Sequence, residues 1–167
     1  MEGSGFLMND VSRIARPRIV VLKSERALML YDGGTAIARM CVSLGRDTLG
    51  PKACEGDRRT PEGVYAVCVR NAESKYHLAL ALNYPNAADA ARGLAEGIID
   101  QAQHDAIAGA IQSGQRPPWD TPMGGEIMIH GGGALRDWTA GCIALDNDCM
   151  DFLWKFAPIG TEVEIRP

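Results

Sequence analysis

The sequence has no long apolar run, no cluster of basic residues and no Cys-x-x-Cys pair. Crossing a bilayer takes about 20 apolar residues, and no segment approaches that length, so we expect no membrane span. Seventeen Lys and Arg against 21 Asp and Glu leave a net charge of −4, which argues against nucleic acid as a partner. Without paired cysteine spacing a structural zinc site is not expected. We predict no metal site and no organic cofactor.

Histidine is also scarce, and the number of cysteines limits disulfide pairing. The chain has three histidines and five cysteines, and an odd number of cysteines cannot all pair within one chain. Cys41 and Cys68 lie in strand-like runs, which favours buried free thiols. Residues 1–18 lack the apolar stretch of a secretory signal, so we expect no signal peptide in this chain.

What is present fits one compact domain. A chain of 167 residues with 46% hydrophobic and 23% charged residues can bury a sizeable core. An amphipathic pattern predicts helix over 87–113, with Asn86 as N-cap and Gly114 as stop; glycines at 93 and 97 make two helices as acceptable as one. A short helix capped by Asp146 or Asn147 is expected to run to Phe156. Strands are predicted over 18–23, 26–31, 35–44, 63–70, 77–83, 126–130, 139–145 and 161–165.

The segment 129–145 carries the chemistry. His130 ends an apolar strand, three glycines follow, and Cys142 comes 12 positions later (142 − 130) after Gly141, as in a strand, a loop and a returning strand. A free thiol has a pKa of about 8.5 and needs a base at neutral pH, which imidazole can supply. If the strands pair, facing Cβ atoms lie roughly 5 Å apart. This spacing predicts Cys142 as nucleophile and His130 as base.

The surrounding glycines suggest further roles. Backbone N–H groups near Gly141 and Gly131 are candidates for an oxyanion hole. No Asp or Asn stands at a spacing that identifies it as the partner that orients His130, so we expect a backbone carbonyl to orient the ring. The alternative is structural, since free cysteine is often a small buried hydrophobe and a lone histidine is more often structural than catalytic.

Several ordered blocks resemble one family. His130-Gly131 followed by Thr139-Ala140-Gly141-Cys142-Ile143 looks like the signature of the L,D-transpeptidase (YkuD-like) catalytic domain. The blocks 23–31, 43–45, 50–52 and 56–65 resemble that family's earlier motifs, in the same order, so the likeness covers roughly residues 18 to 166. The segments 137–145 and 84–86 are more similar to its divergent YafK-type branch.

The resemblance implies a fold and a domain division. It implies an α+β, mainly β protein, a mixed β-sheet sandwich or barrel with one or two flanking helices. Residues 1–17 would be an N-terminal arm and residues 18–167 a single catalytic domain.

One departure concerns substrate contacts. Many members carry an arginine two positions after the cysteine, where this chain has Ala144. The expected substrate contacts are the four residues Trp138, Thr139, Arg136 and Tyr84, of which Arg136 could supply the cation that Ala144 lacks.

The resemblance also implies an activity. It implies acyl transfer on peptidoglycan stem peptides through a thioester, with a hydrolase of peptidoglycan or peptidoglycan–protein links, or a non-catalytic wall-peptide-binding module, as alternatives. A wall-linked protein is a further potential partner. The implied location is the periplasm or cell envelope. Donor, acceptor and oligomeric state stay open.

Overall fold

The computed structural model describes residues 7–8 and 11–167, and within them one mixed sheet is flanked by three helices. Two of these helices come from the segment 87–113, for which the sequence left one or two helices open, and the third is the short helix expected to run to Phe156. The helices are α1 Ala87–Ala95, α2 Gln101–Gln112 and α3 Asn147–Phe156. The strands are β1 Leu7–Met8, β2 Pro17–Leu22, β3 Ala27–Asp32, β4 Thr35–Cys41, β5 Gly63–Ser74, β6 His77–Leu82, β7 Met128–His130, β8 Ile143–Ala144 and β9 Glu162–Arg166.

Strand order explains how distant segments reach the site. Across the described residues the nine strands follow the order β1-β4-β3-β2-β9-β5-β6-β7-β8. Two neighbouring pairs are parallel, β2 with β9 and β7 with β8, and the others are antiparallel. The first part of β5 pairs with β9 and the rest with β6, with register shifts that accompany a local bend. The predicted α+β, mainly β class is confirmed.

The helix break has a local cause. Asn86 and Asp89 form a capping box at the start of α1, and Asp100 and Gln103 form a second one at the start of α2. Gly97 between them has φ +72°, a conformation that ends a helix cheaply only at glycine. The predicted N-cap at Asn86 is confirmed.

The residues expected to cap α3 bond through their side chains to the loop after His130. Asp146 is the N-cap residue, but its side chain makes no bond to the helix. Its Oδ1 accepts from the Ala134 amide, and Asn147 Oδ1 accepts from the Gly132 amide. The start of α3 therefore holds the glycine-rich loop that follows His130.

The main core lies between the sheet and α3. It contains Ile19, Leu28, Leu80 and Leu153, each fully buried. A smaller cluster joins α1 and α2 through Ile99 and Ile107. Together they leave β7 and β8 at one end of a well-packed sheet.

The N-terminal arm falls partly outside the structure. Residues 1–6 and 9–10 of the expected arm lie outside the described residues. Leu7–Met8 pairs with β4, and the Arg16 amide donates to Asp32 at 2.9 Å, so these parts of the arm join the sheet. The division into an arm and one domain stays a prediction.

The five cysteines are all free thiols. Cys41, expected to be buried, is exposed because it ends β4, and Cys68 is half-buried. In the described part of the chain, no helix combines the length and apolarity that a membrane span requires.

Candidate active site

The two candidate catalytic residues belong to neighbouring segments of the sheet: His130 ends β7, and Cys142 directly precedes β8. Ile129 pairs with Ile143 and His130 with Ala144, in a parallel register. The return expected after the glycine loop is therefore a parallel crossover and not a hairpin. A parallel connection needs about a dozen residues, which is what residues 131–142 supply. The direct cross-strand neighbour of His130 is Ala144, and Cys142 precedes it by two positions.

An ion pair fixes the crossover. Asp137 accepts from Arg26 Nε and Nη2, at 3.1 and 2.8 Å, and from the Leu44 amide at 2.9 Å. Burial alone would raise the pKa of the Asp137 carboxyl, but these donors outweigh it and hold the pKa below its usual range. Asp137 is thus charged at neutral pH and ties the loop to the start of β3.

Thr139 holds the turn that presents Cys142. Its Oγ1 donates to the Cys142 carbonyl at 2.7 Å and accepts from the Gly141 amide at 3.1 Å. The side chain is buried, with 4% of its surface exposed. Both bonds of the hydroxyl face inward and position the cysteine. Contact of Thr139 with substrate stays a prediction.

Gly141 is required by close packing. Its φ is +139°, and a Cβ built there would lie 2.7 Å from the Arg59 carbonyl oxygen and 3.0 Å from Ile127. No side chain fits without moving backbone. The loop that carries Arg59 therefore lies directly against the turn before the cysteine.

We expect Gly141→Ala to destabilise the protein by about 2–4 kcal/mol, because it combines a strained φ with a backbone clash. Urea unfolding would measure the free energy of unfolding. Gly34→Ala is the matched control, since nothing lies within 4 Å of a Cβ there and its φ is not positive; its change should stay within about 0.5 kcal/mol. Equal stability of the two variants would contradict the close packing of Gly141.

The Cys142 thiol rests in a neutral state. Sγ donates to the Glu126 carbonyl at 3.3 Å and accepts from the Met128 amide at 3.4 Å. Burial raises the pKa of the Cys142 thiol, and the charge of Glu126 adds to this, while the Met128 amide and the Lys52 ammonium act in the opposite direction. The net shift is upward, so a base is needed to form the thiolate.

His130 is buried between aromatic rings. Its ring stacks on Tyr76 with centroids 4.6 Å apart, and Trp138 meets it edge-on at 5.6 Å. Burial lowers the pKa of His130 below its usual value. The imidazole is therefore neutral at pH 7 and able to accept a proton.

A backbone carbonyl orients this ring, as the sequence predicts. His130 Nδ1 lies 2.6 Å from the carbonyl oxygen of Gly131. Because a carbonyl only accepts, this bond requires the proton on Nδ1 and leaves the lone pair on Nε2. The Gly131 amide donates to Leu78 at 3.3 Å, so both backbone groups of Gly131 are engaged. The role of Gly131 in an oxyanion hole stays a prediction.

Cys142 and His130 are close in register but not bonded. Among the described residues no hydrogen bond joins Sγ to the His130 ring, since the thiol is directed to Glu126. Side chains two positions apart on a strand share a face, which places the cysteine diagonally across from the histidine. Rotation about the Cα–Cβ bond of Cys142 is the movement that could bring Sγ toward Nε2.

The remaining predicted contacts divide in two. Arg136 and Trp138 line one cavity beside His130, and the Trp138 indole donates to the Gly133 carbonyl at 3.0 Å. Tyr84 is fully buried, and its hydroxyl donates to the Met123 carbonyl at 2.8 Å. Tyr84 is therefore a core residue, and its contact with substrate stays a prediction.

Sequence reasoning missed four residues near the site: Tyr76, Arg46, Lys52 and Glu126. Tyr76 lies at the β5–β6 turn and reaches His130 because β6 pairs with β7. No local pattern around it signals this role. Lys52 is buried, with Nζ bonded to Asp57 at 2.9 Å and to the Cys54 carbonyl at 3.1 Å. A lysine inside a polar loop gives no sign of such burial.

Metal ligands do not assemble here. Within the part of the chain that the structure describes, no three His, Cys, Asp or Glu side chains are grouped so as to hold an ion. The expectation that no cofactor is needed stays a prediction.

The fold and the site define a class: a mixed sheet with a histidine at the end of one strand and a cysteine directly before the neighbouring parallel strand. A family model described as the L,D-transpeptidase catalytic domain, YkuD, matches residues 16–165. The chain therefore belongs to the L,D-transpeptidase catalytic domain family.

Individual relatives agree with the family. The chain is 30% identical over 145 residues to YafK of Escherichia coli K12, whose naming as an L,D-transpeptidase is provisional. That match covers 83% of this chain and 46% of the relative, so the chain spans about half the length of the curated relatives it matches.

Solved structures share the fold. The helical cell shape determining protein Pgp2 of Campylobacter jejuni is similar with a TM-score of 0.60 and 22% identity, covering 98% of this chain and 49% of that one. An L,D-transpeptidase from Xylanimonas cellulosilytica has a TM-score of 0.54 and 16% identity, covering 93% and 63%.

Proposed function

We propose that this protein is a cysteine acyltransferase of peptidoglycan stem peptides, working in the periplasm or cell envelope. The observation that carries the proposal is the placement of Cys142 two positions before the cross-strand neighbour of a buried, neutral histidine whose Nε2 is free to accept a proton. Family membership supports stem peptides as substrates.

In the proposed first half-reaction, Cys142 rotates away from Glu126 and gives its proton to His130 Nε2. The thiolate attacks an amide carbonyl next to a diamino acid. The C–N bond breaks, the imidazolium returns its proton to the leaving amine, and a thioester remains. In the second half, an acceptor amine attacks the thioester to give a new cross-link, and the thiolate is reprotonated.

The oxyanion needs a donor near the cysteine. The Gly141 amide is committed to Thr139 Oγ1 in the resting structure. We therefore assign the Cys142 amide as the principal donor, with Gly141 joining only if the Thr139 bond opens. A single well-placed donor can be worth about a hundredfold in turnover.

The test is digestion of whole sacculi with the purified protein, with fragments identified by mass spectrometry. New cross-links between stem peptides are the expected result. Release of fragments without any new cross-link would replace transfer by hydrolysis, in which water attacks the same thioester.

One observation favours a non-catalytic binding module instead. The thiol has a raised pKa and is bonded to a backbone carbonyl, as a structural cysteine would be. Intact-mass measurement after exposure to a carbapenem separates the two functions. An adduct on Cys142 supports the enzyme, and an unmodified thiol between pH 6 and pH 8 would favour the module.

A further inference from the structure

A cavity of about 470 Å³ opens beside the candidate base. Tyr76 and Trp138 form its aromatic walls, and both rings contact His130. A group bound there would therefore lie next to the imidazole that serves the leaving amine. The lining contains no acidic residue and consists of Arg46, Tyr76, Gly132, Gly133, Leu135, Arg136 and Trp138.

The two arginines of this cavity are free to bind a ligand. Both are exposed, and in the described structure neither guanidinium forms an ion pair or a hydrogen bond. Six other arginines are paired with carboxylates: Arg18, Arg26, Arg39, Arg59, Arg92 and Arg166. In a chain with a net charge of −4, two unneutralised cations in one cavity call for an anionic ligand.

Their sequence neighbours do not cancel this charge. Asp47, next to Arg46, pairs with Arg59 at 3.1 Å, and Asp137, next to Arg136, pairs with Arg26 at 2.8 Å. Lys75 adds positive charge, with its ammonium 5.1 Å from the centre of the Tyr76 ring. The carboxylates of Asp146 and Asp148 line a separate depression shared only through Gly132 and Gly133.

The backbone fixes both arginines relative to the cysteine. The Arg46 amide donates to the Thr139 carbonyl at 3.0 Å, and Gly45 forms a bridge with Thr139. Asp137 anchors the segment that bears Arg136. Ala144, the cross-strand neighbour of His130, is fully buried and offers no charge.

We propose that Arg46 and Arg136 together bind a free carboxylate of the substrate, carried by a residue adjoining the scissile amide. Guanidinium groups suit this task because their paired N–H donors match a carboxylate. The inference rests on the proposed function and names the group by which that site would select its peptide. The carboxylate has two possible sources, the C-terminal carboxyl of the departing residue and the side-chain carboxyl of the diamino acid.

The experiment compares kcat/KM for three peptides: the free acid, its C-terminal amide, and a form amidated only on the diamino acid. We expect the highest kcat/KM for the free acid. The amidated peptide whose kcat/KM falls identifies which carboxyl group the two arginines bind. On the free acid, Arg46→Ala and Arg136→Ala should each lose about fivefold and the double variant about twentyfold. On the amide that identifies the source, the variants should match the wild type.

Arg13→Ala is the matched control, since that arginine is exposed and lines a different cavity beside Trp154; it should leave all three values unchanged. The carboxylate site would be overturned if the arginine variants lost kcat/KM equally on the acid and the amide, or if the wild type did not prefer the acid. Neither result would contradict the proposed acyltransferase activity. If the wild type turns over no peptide, the proposed function fails instead. In that case calorimetry compares the binding of the free acid to Cys142→Ala and to Cys142→Ala combined with Arg46→Ala. Weaker binding by the combined variant would support the carboxylate site, and equal binding would overturn it.

Discussion

Replacement of Cys142 by alanine should lower turnover of stem peptides at least about a thousandfold, because no other group can form the thioester. The fold should survive. The side chain is only half-buried, and its two bonds are weak sulfur contacts. Its removal should cost about 1 kcal/mol of unfolding free energy. Turnover is measured by chromatography of the peptides, and folding by circular dichroism.

A second cysteine provides the control for this variant. Cys41 is an exposed free thiol at the end of β4, and Cys41→Ser should retain wild-type turnover. A carbapenem adduct should form on Cys41→Ser and be absent from Cys142→Ala. Full turnover by Cys142→Ala would end the nucleophile assignment, whatever the adducts show.

The regular elements could be predicted because their signals are local. Short runs of apolar residues mark β2, β3 and β6, and Asn86 with Asp89 marks the start of α1. The break at Gly97 was one of two acceptable outcomes, since the helix cost of glycine does not decide whether its φ becomes positive. The parallel register of β7 and β8 could not be read from spacing, because 12 residues suit a long hairpin loop as well as a crossover.

The two reactive residues of the candidate site could be predicted from the sequence, but the residues that surround them could not. Cys142 and His130 stand out because glycines flank reactive side chains. Tyr76 and Arg46 join the site through sheet order, which no short motif encodes. Thr139 and Tyr84 illustrate the reverse case. Proximity in sequence or in a family motif predicted contact with substrate, whereas each hydroxyl is satisfied by a backbone carbonyl inside the protein.

Polar side chains outside the cavity hold the loop between His130 and Cys142. Thr139, Asp137 and Asn147 do not touch the cavity, yet each holds a part of the loop between the two catalytic candidates. Of these three side chains Thr139 is buried, so breaking its bonds would leave a buried hydroxyl unpaired. Thr139 is therefore the group most closely tied to the position of Cys142.

Loss of His130 should be the second largest effect. We expect His130→Ala to lower kcat/KM about a hundredfold to ten-thousandfold, the usual contribution of a general base. Wild-type activity should fall as pH falls, with a midpoint below 6.5, because burial lowers the pKa of His130 and only the neutral ring accepts the thiol proton. In the variant this acid limb should vanish, and residual activity should rise with pH toward the raised pKa of Cys142, as thiolate forms without help.

The pH profile also separates a base from a packing role. His104 on α2, bonded to Asp105, is the control, and His104→Ala should keep both the rate and the acid limb. A purely structural His130 would lower the rate of its variant without changing the shape of the profile. An acid limb that persists in His130→Ala with the wild-type midpoint would therefore assign the titration to another group and remove His130 as the base.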